Sequence, residues 1–125
     1  MALKSLLIKE AELTEDLIEK VASPFLRYTE TGKIISNPDF KNLSISNQIL
    51  VYLVAKSGLP LVTDKSDTDI SSNNSELEKA LNIKGNTLRP RLSELRVKGY
   101  IITENNKHKI SNHSAGYVIE QLKLK

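Results

Sequence analysis

The sequence predicts a mainly α fold with a small β hairpin near its C-terminal end, on three observations. Leu88, Leu92 and Leu95 recur at i, i+4 and i+7, the spacing of a helix with one buried stripe. Directly after it, Tyr100-Ile-Ile-Thr-Glu104 and Lys107-His-Lys-Ile110 flank Asn105-Asn106, two strand-like runs around residues that tolerate positive φ. With 39% hydrophobic residues in 125, the chain is long enough for one core and short enough to be a single domain.

The N-terminal third supplies the less regular elements. Residues 1–23 read as a helix with Leu6, Leu7, Leu13, Leu17, Ile18 and Val21 on an imperfect apolar face, and Pro24 stops it. A hairpin around Thr31-Gly32 is expected over 27–36, followed by a short helical turn over 38–43. Ile49-Leu-Val-Tyr-Leu-Val-Ala55 is too uniformly apolar for its period to be read, so the flanks decide: Ser44 or Ser46 caps a helix start, and Ser57-Gly58-Leu-Pro60 is a stop. A central helix over 44–56 follows.

The segment 62–74 is polar. Its aspartates, Asp64, Asp67 and Asp69, lack the Gly and late Glu of a calcium loop and are expected to be solvated, with a brief strand around Ile70. At the far end, 114–123 is expected to be a helix with Ala115, Val118, Ile119 and Leu122 on one side. The organisation is then an N-terminal segment 1–43, a central unit 44–113 and a C-terminal helix 114–125. The terminal helices are expected to pair two chains in a two-fold dimer, the alternative being that each packs on its own chain.

Between these lies the most informative stretch, from Ser75 to Tyr100. Ser75 with Glu78 three residues on has the form of a capping box, and Leu77, Ala80 and Leu81 give a narrow stripe, so a two-turn helix begins there. Gly85 is assigned the backbone freedom of the turn that follows. A proline within a helix costs about 3 kcal/mol, so the second helix is started at Asn86 or Thr87 to bring Pro90 to the edge of its first turn, and it is ended at Lys98 with Gly99 beyond.

The outward arc of that second helix carries Asn86, Arg89, Pro90, Ser93, Glu94 and Val97, with Arg91 and Arg96 on its flanks. Arg matches guanine and Asn matches adenine in the major groove of duplex DNA, though a charged helix face is often only solvated. The hairpin adds Lys107, His108 and Lys109, a set that suits phosphate oxygens or serves an edge strand against aggregation.

Taken together, residues 44 to 117 resemble a winged helix-turn-helix domain of the broad kind found in prokaryotic regulators such as the MarR type, with additional N-terminal and C-terminal helices. The likeness rests on the run from Leu81 to Ile102, which is similar to the family's turn, recognition helix and first wing strand. It implies that Asn86, Thr87, Arg89, Pro90 and Ser93 lie at the groove, Arg91 and Arg96 on phosphate flanks, and Lys107 and Lys109 in the wing. Two departures stand out: a short wing, and a longer and more polar segment ahead of the first helix of the motif.

Charge distribution agrees with that expectation. From Lys84 onward there are nine Lys/Arg against three Glu, a net of +6, whereas residues 1–83 carry nine against twelve, a net of −3. Aromatic residues make up 5% and are scattered, unlike the stacking platforms of single-strand or RNA binders. The sequence has no cysteine, no apolar run of membrane-spanning length and no secretory signal, so a cytoplasmic location is expected. No nucleophile turn or phosphate-cradling glycine loop is present, and His108 and His113 are expected to be exposed bystanders. The expectation is therefore a non-enzymatic double-stranded DNA-binding protein, most simply a transcription regulator, with no cofactor, metal, membrane or small-molecule ligand. The alternative is a protein–protein adaptor in a replication, partition or transcription complex.

Overall fold

The computed structural model describes residues 15–62 and 69–111, together with Ser114, Tyr117, Val118 and Leu122. It is mainly helical, with two small antiparallel sheets. The expected helix face at 1–14, the aspartates Asp64 and Asp67, His113, and Ala115 and Ile119 lie outside the described residues.

Helix α1 (Glu15–Ala22) ends ahead of Pro24, and strands β1 (Leu26–Tyr28) and β2 (Ile34–Ser36) form the expected hairpin, with Arg27 opposite Ile35. A 3₁₀ helix (Pro38–Asn42) is capped by Asn37, whose side chain accepts from the Phe40 N–H, and it delivers Phe40 into the core. Helix α2 (Ile45–Ser57) starts at an N-cap Ser44 and is the hub of the molecule. Ile49, Leu50, Val51, Leu53, Val54 and Ala55 are all buried, which explains the lack of a readable period. A helix surrounded on most sides needs apolar residues on most sides.

The stop after α2 differs from the expected one. Gly58 is the C-cap, yet its φ of −86° is right-handed, and the chain continues into a one-turn helix α3 (Leu59–Val62) that contains Pro60. Proline is tolerated there because the first turn of a helix has no intrahelical acceptor for its missing N–H. What Gly58 provides is closeness: a Cβ on it would stand 2.6 Å from the Tyr28 hydroxyl oxygen and 3.0 Å from Ile18.

The brief strand expected near Ile70 occurs two residues later, as β3 (Ser72–Asn73). Helix α4 (Asn74–Leu81) is capped by Asn73, which accepts from the Glu76 N–H at 2.8 Å, so the expected Ser75 capping box does not form. The turn after it also differs: Asn82, at φ 54°, takes the left-handed position assigned to Gly85. Gly85 instead opens helix α5 (Gly85–Val97), and Lys84 is its N-cap with no side-chain capping bond.

That earlier start moves Pro90 to the sixth residue of α5, inside the helix, where the expected first-turn placement does not hold. The start is fixed by the Leu88 N–H, which donates to Lys84 O at 2.9 Å and so makes Lys84 the N-cap. The C-terminal end matches expectation. Gly99, at φ 81°, follows the C-cap Lys98. Its N–H donates to Arg96 O, and that of Tyr100 to Leu95 O, each at 3.0 Å, the paired bonds of a Schellman motif.

Strands β4 (Ile101–Glu104) and β5 (Lys107–Ile110) pair with Ile101 opposite Ile110, and β3 adds to the other edge of β5 with Ser72 opposite His108. Asn105 and Asn106, at φ 51° and 62°, form the two-residue turn in the mirror-image conformation that matches strand twist. Beyond the sheet, Tyr117 stacks on Tyr100 with ring centroids 3.9 Å apart. Val118 is fully buried and Leu122 packs on the core. Among the described residues, Ile18, Val21 and Ala22 of α1 are likewise covered within the one chain.

Candidate nucleic-acid interface

Helix α5 is held by its leucines, which fixes what it presents outward. Asn86, Thr87, Arg89, Pro90, Arg91, Ser93, Arg96 and Val97 are all exposed. They divide into two groups by their neighbours. Arg91 lies 3.6 Å from Glu94, which also meets Lys98 at 3.5 Å. Surface pairs of this kind contribute only a few tenths of a kcal/mol, but they place a carboxylate beside the Arg91 flank. Arg89 and Arg96 have no salt bridge among the described residues, and with Ser93 they form a stripe at i, i+4 and i+7.

This stripe borders a concavity of about 200 Å³, whose other walls are Leu92, Asn74 at the N-terminus of α4, and His108 of β5. The site thus draws on three elements that meet only in the fold. His108 is the residue that sequence reasoning placed wrongly, since it is buried. Its Nδ1 is 2.8 Å from Thr103 Oγ1 and its Nε2 is 2.6 Å from Asn74 Oδ1. The neutral tautomer with hydrogen on Nε2 satisfies both: Nε2–H donates to Asn74, and Nδ1 accepts from the threonine hydroxyl. Burial, and secondarily the charge of Arg96, push the imidazole pKa below its ordinary value of 6.5.

The two hairpin lysines are also unequal. Lys107 is held 2.7 Å from Asp69, whose carboxylate additionally accepts from the Ser71 N–H and hydroxyl. The bonds from Lys107 and Ser71 hold the Asp69 carboxyl well below the usual carboxylate range, and the same carboxylate raises the ammonium pKa of Lys107. Lys109 has no such partner among the described residues. The hairpin therefore offers one uncommitted cation where two were expected, and Asp69, taken as a solvated loop residue, is the reason.

A larger groove of about 500 Å³ lies between α1, β1 and α3, lined by Ile18, Ala22, Leu26, Tyr28 and Leu61. None of the expected site residues borders it. No helix among the described residues is long and apolar enough to cross a membrane, and none of their acidic and histidine side chains cluster as a metal site. Comparison with known protein families, curated proteins and solved structures finds no match.

Proposed function

We propose that this chain is a winged helix-turn-helix protein that binds double-stranded DNA, most simply as a transcription regulator, with α5 entering the major groove. The observation that carries the reading is the uncommitted stripe of Arg89, Ser93 and Arg96 on a helix whose opposite face is locked into the core. An α-helix fits the major groove, and Arg is its commonest reader of guanine. Asn86, Thr87 and Pro90 lie on the groove side of the same helix, and Lys109 reaches for backbone phosphate. Lys107 joins it only when Asp69 lets go.

The test is fluorescence anisotropy of a labelled mixed-sequence duplex titrated with the protein at several salt concentrations. Binding should weaken steeply with salt, each neutralised phosphate adding a slope of about −0.9. The Arg89→Ala/Arg91→Ala variant, checked for folding by circular dichroism, should lose most of the affinity. No binding by the wild type at low salt removes the reading.

One observation favours a second reading. Val97 is 81% exposed at the end of α5, and Ile102 on the adjacent strand is 40% exposed. Apolar side chains beside a basic stripe suit a protein-docking adaptor, and this function would survive loss of Arg89 and Arg91.

A further inference from the structure

Resting on the duplex-binding reading, we propose that the concavity formed by Asn74, Arg89, Ser93, Arg96 and His108 seats one phosphate group of the DNA backbone, and that His108 takes up a proton as the phosphate arrives.

The chemistry of the walls points to an oxyanion. Two guanidinium groups, the serine hydroxyl and the side-chain amide of Asn74 supply donors, and no carboxylate lines the space. Asn74 is also the first residue of α4, so the positive end of an eight-residue helix faces the same region. The volume of about 200 Å³ accommodates a phosphate with bridging water.

His108 makes the seat proton-linked. Protonation at Nδ1 leaves the Nε2–H bond to Asn74 intact, and the Thr103 hydroxyl becomes an acceptor by rotating. No hydrogen bond is lost, so the cost of the imidazolium is electrostatic. Burial is the main reason the free protein resists that proton, and the surrounding charges add to it. From α5 come Arg89 and Arg96, and from β5 itself Lys107 and Lys109. From α4 come Glu76, neutralised by Lys56 of α2 at 3.2 Å, and Glu78, whose carboxylate stands with the Arg89 guanidinium beside Gly85; from β4 comes Glu104 at the turn end. Lys107 is neutralised in turn by Asp69. Arg96 remains uncompensated and Arg89 only partly balanced, and a phosphate between them reverses the sign of the local field. An anion within a few ångströms of a buried imidazole favours its charged form, and by linkage the proton then favours the anion.

The experiment follows the His108 ring by NMR through a pH titration of the full chain, with assignment by comparison with His113→Gln. Three samples are compared: protein alone, protein with inorganic phosphate, and protein with a saturating 16-base-pair duplex. Duplex affinity is measured in parallel by anisotropy from pH 5.5 to 8. The expected result is a His108 titration midpoint about one unit higher with duplex, matched by binding that tightens as pH falls, toward a limit of about tenfold. In His108→Gln the pH dependence should disappear while the salt dependence stays.

If duplex binding is salt-dependent but independent of pH, and the His108 midpoint does not move, the inference is overturned while the DNA reading stands. If no duplex binds but inorganic phosphate raises the midpoint, the seat is upheld as a site for free phosphate and the DNA reading falls. If neither ligand moves the midpoint and no duplex binds, both fall.

Discussion

Replacing Pro90 with alanine should make the protein more stable and a poorer DNA binder. Pro90 is the sixth residue of α5, so an N–H at this position would donate to the carbonyl of Asn86, four residues earlier. Proline supplies no N–H, and its ring crowds that same carbonyl. In a helix interior this costs about 3 kcal/mol relative to alanine. Proline also stiffens the unfolded chain, which gives back about 0.4–1 kcal/mol. Both the proline and Asn86 are exposed, so no packing is lost on substitution. The net expectation is a gain of about 2 kcal/mol, or roughly 8 °C in Tm for a chain of this length at about 4 °C per kcal/mol. Urea denaturation with a constant m-value measures the gain, and differential scanning calorimetry measures the shift. A Tm that falls or stays within a degree of wild type would refute the helix-interior placement. A gain in stability together with weaker duplex binding would show a residue retained for function at the expense of the helix that carries it.

Three further outcomes are expected. Gly58→Ala should destabilise the fold by about 1–3 kcal/mol in urea denaturation, because the new methyl group displaces the Tyr28 hydroxyl from its 2.5 Å bond to Ala55 O. Asp69→Asn should tighten duplex binding and steepen its salt dependence by releasing Lys107, whereas Lys107→Ala in the wild-type background should matter less than Lys109→Ala. Stability should fall as pH drops below 6.5 toward the lower folded pKa of His108. In that window the unfolded chain binds a proton that the native imidazole resists, so unfolding gains; thermal melts of His108→Gln should lose this component of the slope.

Much of the fold was legible where a residue type has one structural use. Gly99 closes a helix, Asn105-Asn106 turns a hairpin, and the spacing of Leu88, Leu92 and Leu95 names a buried face. Legibility failed where two residues offered the same chemistry in overlapping register. Asn73 with Glu76 and Ser75 with Glu78 are both plausible helix starts, and the sheet decides between them by pairing Ser72 with His108 and drawing Asn73 into extended backbone. Asn82 and Gly85 compete likewise for the left-handed position. Pro90 falls inside α5 because Lys84 O already accepts from the Leu88 N–H, a cap without a side-chain bond that no residue type announces.

The candidate site shows the same division. The basic stripe on α5 was visible because a helix period needs no partner to be read. His108 and Asp69 were not, since their roles depend on contacts 34 and 38 residues away in the chain. The sequence does carry one signal for His108: alternation along β5 puts it on the same inward face as Ile110.

Tyr100 closes the hairpin at its base. Its carbonyl accepts from both the Ser111 N–H, at 3.0 Å, and the Ser114 hydroxyl, at 2.9 Å, while its ring lies against Tyr117. Residues 101–110 are thus clasped at their stem, and the far end, Asn105-Asn106, is exposed and makes no contact that the clasp depends on. Such a loop is a cassette: residues can be added at its tip, or exchanged for a longer and more basic sequence, without reopening the junction with α5. Lengthening the hairpin there is accordingly the simplest route by which this scaffold could acquire a deeper reach along a ligand, in evolution or by design.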